Sequence, residues 1–128
     1  MPFAQAVAGR LCYLSGPIAG LDPEKCAARF AEADAICRRN GAAGTFNPMD
    51  PKRQMARAGW TRAQHMLADV HALTTSHKGD GTPSYTLVRL PGWSRSDGAQ
   101  LEADVAIACG MEVYDLPVTE WEGADHGE

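Results

Sequence analysis

Apolar residues along the chain alternate between short continuous runs and stripes at helical spacing, a rhythm that predicts strands separated by helices. Leu11-Cys12-Tyr13-Leu14 is an apolar run closed by Ser15-Gly16-Pro17, which predicts a buried strand ending in a turn. Asp22 is placed to cap a helix with Pro23 in its first position, and Cys26, Phe30, Ala33 and Cys37 follow as its inward stripe until Gly41. Thr45-Phe46-Asn47 predicts a second short strand, and Pro48 to Gly59 an irregular loop. Thr61-Arg62-Ala63-Gln64 has the capping-box pattern, so a second helix starts there with Ala63, Met66, Leu67, Val70 and Leu73 as its apolar stripe. Asp69 falls toward the edge of that stripe. Thr74 to Ser84, rich in glycine and polar residues, predicts a long exposed loop. Tyr85 to Leu90 is the third strand, broken by Pro91 to Arg95. Ser96 caps a third helix carrying Leu101, Val105 and Ala108, Gly110 ends it, and Met111 to Leu116 is the fourth strand.

Strands alternating with helices imply a parallel sheet with right-handed crossovers, and four strands wind most simply in the order 2-1-3-4, with room for a fifth. The expected unit is one α/β domain over residues 1–118, followed by an acidic tail over 119–128 in which Trp121 is a candidate to dock on the body. In such a sheet the ligand crevice opens where the winding reverses, here between strands one and three at their carboxyl ends. Two loops meet there, Ser15 to Gly20 and Pro91 to Gly98. Both lead into helix N-termini, where backbone N–H groups favour anions.

Composition narrows the classes of function. With 45% hydrophobic and 22% charged residues the 128-residue chain is an ordinary globular protein. Its net charge of -4 argues against a nucleic-acid polymer as partner. No apolar segment approaches the ~20 residues of a membrane span, and the opening stretch lacks the basic and apolar regions of a signal peptide. Cys12, Cys26, Cys37 and Cys109 form no CxxC pair and are expected as buried free thiols, consistent with a reducing cytoplasm. His65, His71 and His77 stand six residues apart, on different helix faces or in a loop, so no metal site is expected and solvated histidines suffice.

The candidate chemistry gathers around the crevice. Ser15-Gly16-Pro17-Ile18-Ala19-Gly20 supplies glycines for close backbone approach and a hydroxyl, and it matches neither GxGxxG nor a P-loop. Glu102 falls about a turn and a half into the third helix, whose positive end favours an ionised carboxylate. A helical glutamate or aspartate such as Glu102 or Asp69 is usually a solvated surface acid, and Tyr13 alone reads as a core tyrosine. Trp93 is placed to stack on a planar ligand at the crevice mouth or to plug the sheet edge. Arg89 and Arg95 are candidate phosphate contacts.

Taken together, Tyr13-Leu14-Ser15-Gly16-Pro17-Ile18-Ala19-Gly20, Phe30, Asn47-Pro48, Asp69, Leu90-Pro91-Gly92-Trp93, Ser96-Asp97-Gly98-Ala99 and Glu102 resemble the nucleoside 2-deoxyribosyltransferase-like superfamily over most of residues 11–116. The resemblance is strongest to a bacterial and phage branch whose nearest functional relatives are N-glycosidases of (deoxy)nucleoside 5'-monophosphates. It implies a flavodoxin-like, Rossmann-like fold and an enzyme needing neither cofactor nor metal. Glu102 would attack C1' of the sugar, Tyr13 would orient it, and Asp69 would assist the departing base or hold the sugar. Ser15, Gly16, Pro17, Ile18, Gly20, Trp93, Ser96, Asp97 and Gly98 would bind the substrate. Ser96 stands where transferases acting on free nucleosides commonly carry an aspartate, and a serine accepts the anion that an aspartate repels, so a nucleotide is the expected substrate.

A transferase exchanging bases and a non-catalytic nucleotide-binding module are the alternatives. The shallow crevice predicts a homodimer with shared active sites. The Ser76 to Pro83 segment is an insertion relative to the superfamily, a candidate to reshape the base pocket or reach a neighbouring subunit.

Overall fold

Four strands form where the apolar runs predict them: β1 (Leu11–Ser15), β2 (Gly44–Phe46), β3 (Tyr85–Arg89) and β4 (Val113–Asp115). This computed structural model describes residues 2–117, and the expected acidic tail with Trp121 lies outside the described residues. Neighbouring strands pair in parallel in the order β2-β1-β3-β4, with Tyr13 beside Phe46 and Leu87, and Ser15 beside Arg89. The winding therefore reverses between β1 and β3, as expected for a flavodoxin-like α/β sheet.

Helices cover both faces. On one face, helices α1 (Phe3–Val7) and α2 (Pro23–Arg39) close a core containing Val7, Cys12, Leu14, Phe30, Ile36 and Val88. The capping carboxylate of Asp22 accepts a hydrogen bond from Lys25 N at 3.0 Å, and Cys26, Phe30, Ala33 and Cys37 face inward. On the other face, α4 (Arg62–Thr75) and α5 (Asp97–Ala108) close a second core around Tyr13, Phe46, Leu73, Leu87, Ala103 and Ala106. Alternation along β1 thus sends Cys12 and Leu14 to one core and Tyr13 to the other.

Several expectations need correction. The chain opens with α1, which the sequence pattern does not announce. Pro48 to Gly59 is not irregular throughout: α3 (Pro51–Ala56) forms on an Asp50 cap followed by Pro51, the same Asp-Pro start that opens α2. Thr61 and Gln64 do make the reciprocal capping box of α4, but its inward face is misassigned by the apolar pattern. Leu67 is 73% exposed and Ala63 is exposed, whereas Asp69 is buried at the centre of the stripe. In α5 the buried residues are Ala99, Glu102, Ala103 and Ala106, while Leu101 and Ala108 face outward. Small alanines let α5 lie close to the sheet, and the larger apolar residues are turned away. Cys109 is exposed, unlike the other three free cysteines.

The 76–83 insertion folds into a tight turn, with His77 bridged to Pro83 and the Asp80 carboxylate accepting from Thr82 N and Oγ1. It precedes β3 and lines a cavity with Arg10, Leu11 and Glu112 at the amino ends of the strands. That is the opposite end of the sheet from the crevice, so the insertion does not shape it. Among the described residues no helix is long and apolar enough to cross a membrane.

Candidate active site

At the carboxyl ends of β1 and β3 the loops after the strands separate and leave a cavity of about 490 Å³, within the range of small-molecule sites. Gly16 makes the turn possible. A Cβ there would lie 2.9 Å from Leu90 Cβ, so the loop after β1 passes against the end of β3 only without a side chain. The backbone seals the approach with Leu90 N donating to Ser15 O at 2.8 Å.

Glu102 enters the cavity from α5, whose Ser96 cap accepts a hydrogen bond from Ala99 N at 3.2 Å. The carboxylate is only 7% exposed and each of its oxygens has a hydroxyl donor. Tyr13 Oη donates to Oε2 at 2.5 Å, and Ser15 Oγ donates to Oε1 at 2.6 Å. Both donors come from β1, two residues apart. The side chain of Tyr13 is fixed by stacking on Phe46 at 4.7 Å and by edge contact with Tyr85 at 5.9 Å.

Burial pushes the Glu102 carboxyl up to about 7, against the lowering effect of its two hydroxyl donors and with a further rise from the nearby Asp69 charge. The helix start is expected to favour the ionised form, but burial is the largest influence on this carboxyl and acts the other way. The same surroundings hold the Tyr13 phenol far above its ordinary range, first by burial and then by the Glu102 charge, so Tyr13 stays a neutral donor.

Asp69 reaches the cavity from α4 and is met by a cation the sequence pattern does not single out. Arg57, at the end of α3, is 6% exposed, and its Nη1 lies 2.7 Å from Asp69 Oδ1. Oδ1 thus has a charge partner but no well-aligned hydrogen-bond donor. Burial pushes the Asp69 carboxyl upward, and the Arg57 guanidinium counters part of that rise. His65 Nδ1 lies 3.5 Å from Arg57 Nη1, and the His65 ring meets Trp60 edge-on at 5.6 Å. His65 is therefore half-buried on the cavity wall, not simply solvated.

The structure brings most of the expected residues to one place. Gly16, Ile18, Gly20, Asp69, Ser96, Gly98 and Glu102 line the cavity, with Tyr13 and Ser15 directly behind Glu102. Pro17 and Asp97 border an adjoining cavity instead. Trp93 lines neither and packs against the core beneath α5, its ring covered by the Arg89 guanidinium at 3.9 Å. Arg89 is also paired with Asp115 at 2.7 Å, away from both cavities.

Arg57, His65 and Met66 also line the main cavity. The Asp50-Pro51 helix start is the signal that would have placed α3. Nothing in the pattern distinguishes Arg57 from the other basic residues. Among the described residues no group of three His, Cys, Asp or Glu side chains is arranged to hold a metal ion.

Residues 10–115 match the family described as a domain of unknown function, DUF4406, and the chain belongs to that family. No curated protein matches the chain, and no solved structure does.

Proposed function

We propose that this DUF4406 member is an N-glycosidase that hydrolyses the bond between base and sugar in a nucleoside or 2'-deoxynucleoside 5'-monophosphate, with Glu102 as nucleophile. The observation that carries the reading is the Glu102 carboxylate, buried at the floor of a cavity with a hydroxyl donor on each oxygen and a second buried acid, Asp69, lining the same cavity. A structural acid gains nothing from such a place. Burying a carboxylate is costly, and the cost is tolerated where the group reacts.

In the reaction, one Glu102 oxygen attacks C1' while the bond from C1' to the base nitrogen breaks and its electron pair leaves with the base. Water then attacks C1' of the glycosyl ester, Glu102 departs as a carboxylate, and the water's proton balances the base released. Tyr13 and Ser15 hold the carboxylate toward the sugar and stabilise it when it leaves. Asp69, kept in place by Arg57, accepts sugar hydroxyls or steadies the departing base. Ser96 and Gly98, at the α5 N-terminus, offer the 5'-phosphate a hydroxyl and the positive helix end. A second copy of the chain closing the open side of the cavity belongs to the same proposal.

The test is incubation with the common nucleoside 5'-monophosphates and chromatography for free base, with Glu102→Ala alongside. Base release that disappears in a folded Glu102→Ala protein supports the reading. Wild-type rates in that variant, or no base from any nucleotide, overturn it. A different base added to the mixture separates hydrolysis from transfer, because only a transferase makes a new nucleotide from it.

A further inference from the structure

Beside the main cavity lies a second one of about 600 Å³, and the two share Ala19, Leu21, Cys26, Arg62 and Ser96 along their border. The second has a different character. Lys25, Arg29, Arg62 and Arg95 line it against only Asp22 and Asp97, so four cations face two carboxylates in a chain whose net charge is -4. Three elements supply them: Lys25 and Arg29 stand one turn apart on α2, Arg62 opens α4, and Arg95 ends the 3₁₀ turn Trp93–Arg95. Arg29 is fastened to the wall, its Nη2 donating to Pro91 O at 3.1 Å. Cations so concentrated raise the local concentration of anions and hold them by charge-assisted hydrogen bonds.

We infer that this second cavity is a subsite for a further phosphate, so that the preferred substrate carries a diphosphate, free or esterified, where a monophosphate would stop at Ser96. The inference rests on the proposed function for its direction: with C1' at Glu102 and the 5'-phosphate at Ser96, the next phosphate along the chain crosses the shared border toward Lys25 and Arg95. Ser96 lines both cavities, and Lys25, Arg29 and Arg95 line only the second.

Calorimetric titration of the full chain with inorganic phosphate and with inorganic pyrophosphate at physiological salt tests the subsite without turnover. Pyrophosphate should bind at least roughly tenfold more tightly, the size of one added charge-assisted hydrogen bond. The Lys25→Ser/Arg95→Ser double variant, folded by circular dichroism, should lose that preference. Equal affinities for the two anions, or a preference untouched by the double variant, overturn the inference.

Base release from nucleoside monophosphate and diphosphate separates the two readings. A pyrophosphate preference with no base released from either would end the glycosidase proposal and leave the anion subsite standing. Base released from the monophosphate without any pyrophosphate preference would do the reverse.

Discussion

Replacing Glu102 with glutamine should stabilise the protein, by an amount that depends on pH. The carboxyl is raised from its ordinary 4.5 to about 7, chiefly by burial. Below 4.5 it is protonated in both folded and unfolded chains and contributes no pH-dependent cost. Between 4.5 and 7 the unfolded carboxyl ionises while the folded one keeps its proton, so stability falls as pH rises. Above about 7 the loss levels off. At about 1.4 kcal/mol for each tenfold change in proton affinity, the full loss is about 3 kcal/mol. Glutamine carries no such charge, and the Ser15 hydroxyl can turn to accept from its amide, so Glu102→Gln should cost little at pH 4.5 and gain about 3 kcal/mol at pH 8.5. Urea denaturation of both proteins at the two pH values measures this directly. A difference between variant and wild type that does not change with pH would show that Glu102 is not held protonated by its surroundings, and the reasoning would fail.

Tyr13→Phe keeps the ring stacked on Phe46 and removes one of the donors that lower the Glu102 carboxyl, so any base-releasing activity should need a more alkaline pH to switch on. A pH-rate profile with an unmoved acidic limb would contradict that. Arg57→Met leaves Asp69 buried without its cation and should lower stability by about 3 kcal/mol in urea, with part of the loss recovered in the Arg57→Met/Asp69→Leu double variant. A loss under about 1 kcal/mol would show the pair to be dispensable. Gly16→Ala puts a methyl group 2.9 Å from Leu90 Cβ and should cost about 1–3 kcal/mol, read as a lower thermal midpoint; an unchanged midpoint would mean that the loop yields freely.

The sheet was legible because its signals are local. The two central strands are apolar runs stopped by glycine, proline or a polar turn, and each long helix carries its cap in the sequence as Asp22, Thr61 or Ser96. The order 2-1-3-4 is the simplest doubly wound arrangement for four such strands, and the sheet adopts it. The short helices show too little periodicity to separate from a loop, and only α3 leaves a cue, its Asp50-Pro51 start. Arg57 was hidden for another reason: its partner Asp69 is twelve positions away on another helix, and an ion pair of that kind leaves no trace in spacing.

The two faces that periodicity misjudged are the two that carry the acids, and the coincidence has a physical cause. An apolar stripe locates a buried face on the assumption that buried means apolar. In α4 the centre of the buried face is Asp69, and in α5 it is Glu102 flanked by small alanines, so the assumption fails at those two helices and holds at α2. Leu67 and Leu101, which the stripes place inside, are 73% and 48% exposed, and Ile107 is 61% exposed. A fold that turns leucine and isoleucine outward to bury two carboxylates is less stable than its composition allows, and local conflicts of this kind concentrate where function requires them. The environments of the two acids differ, as the proposed division of labour between them would require. Burial raises both carboxyls, but Glu102 is met by neutral hydroxyls, whereas Asp69 is met by a guanidinium that counters part of its rise. Glu102, whose carboxyl burial raises to about 7, is also the acid whose two oxygens are held by Tyr13 and Ser15.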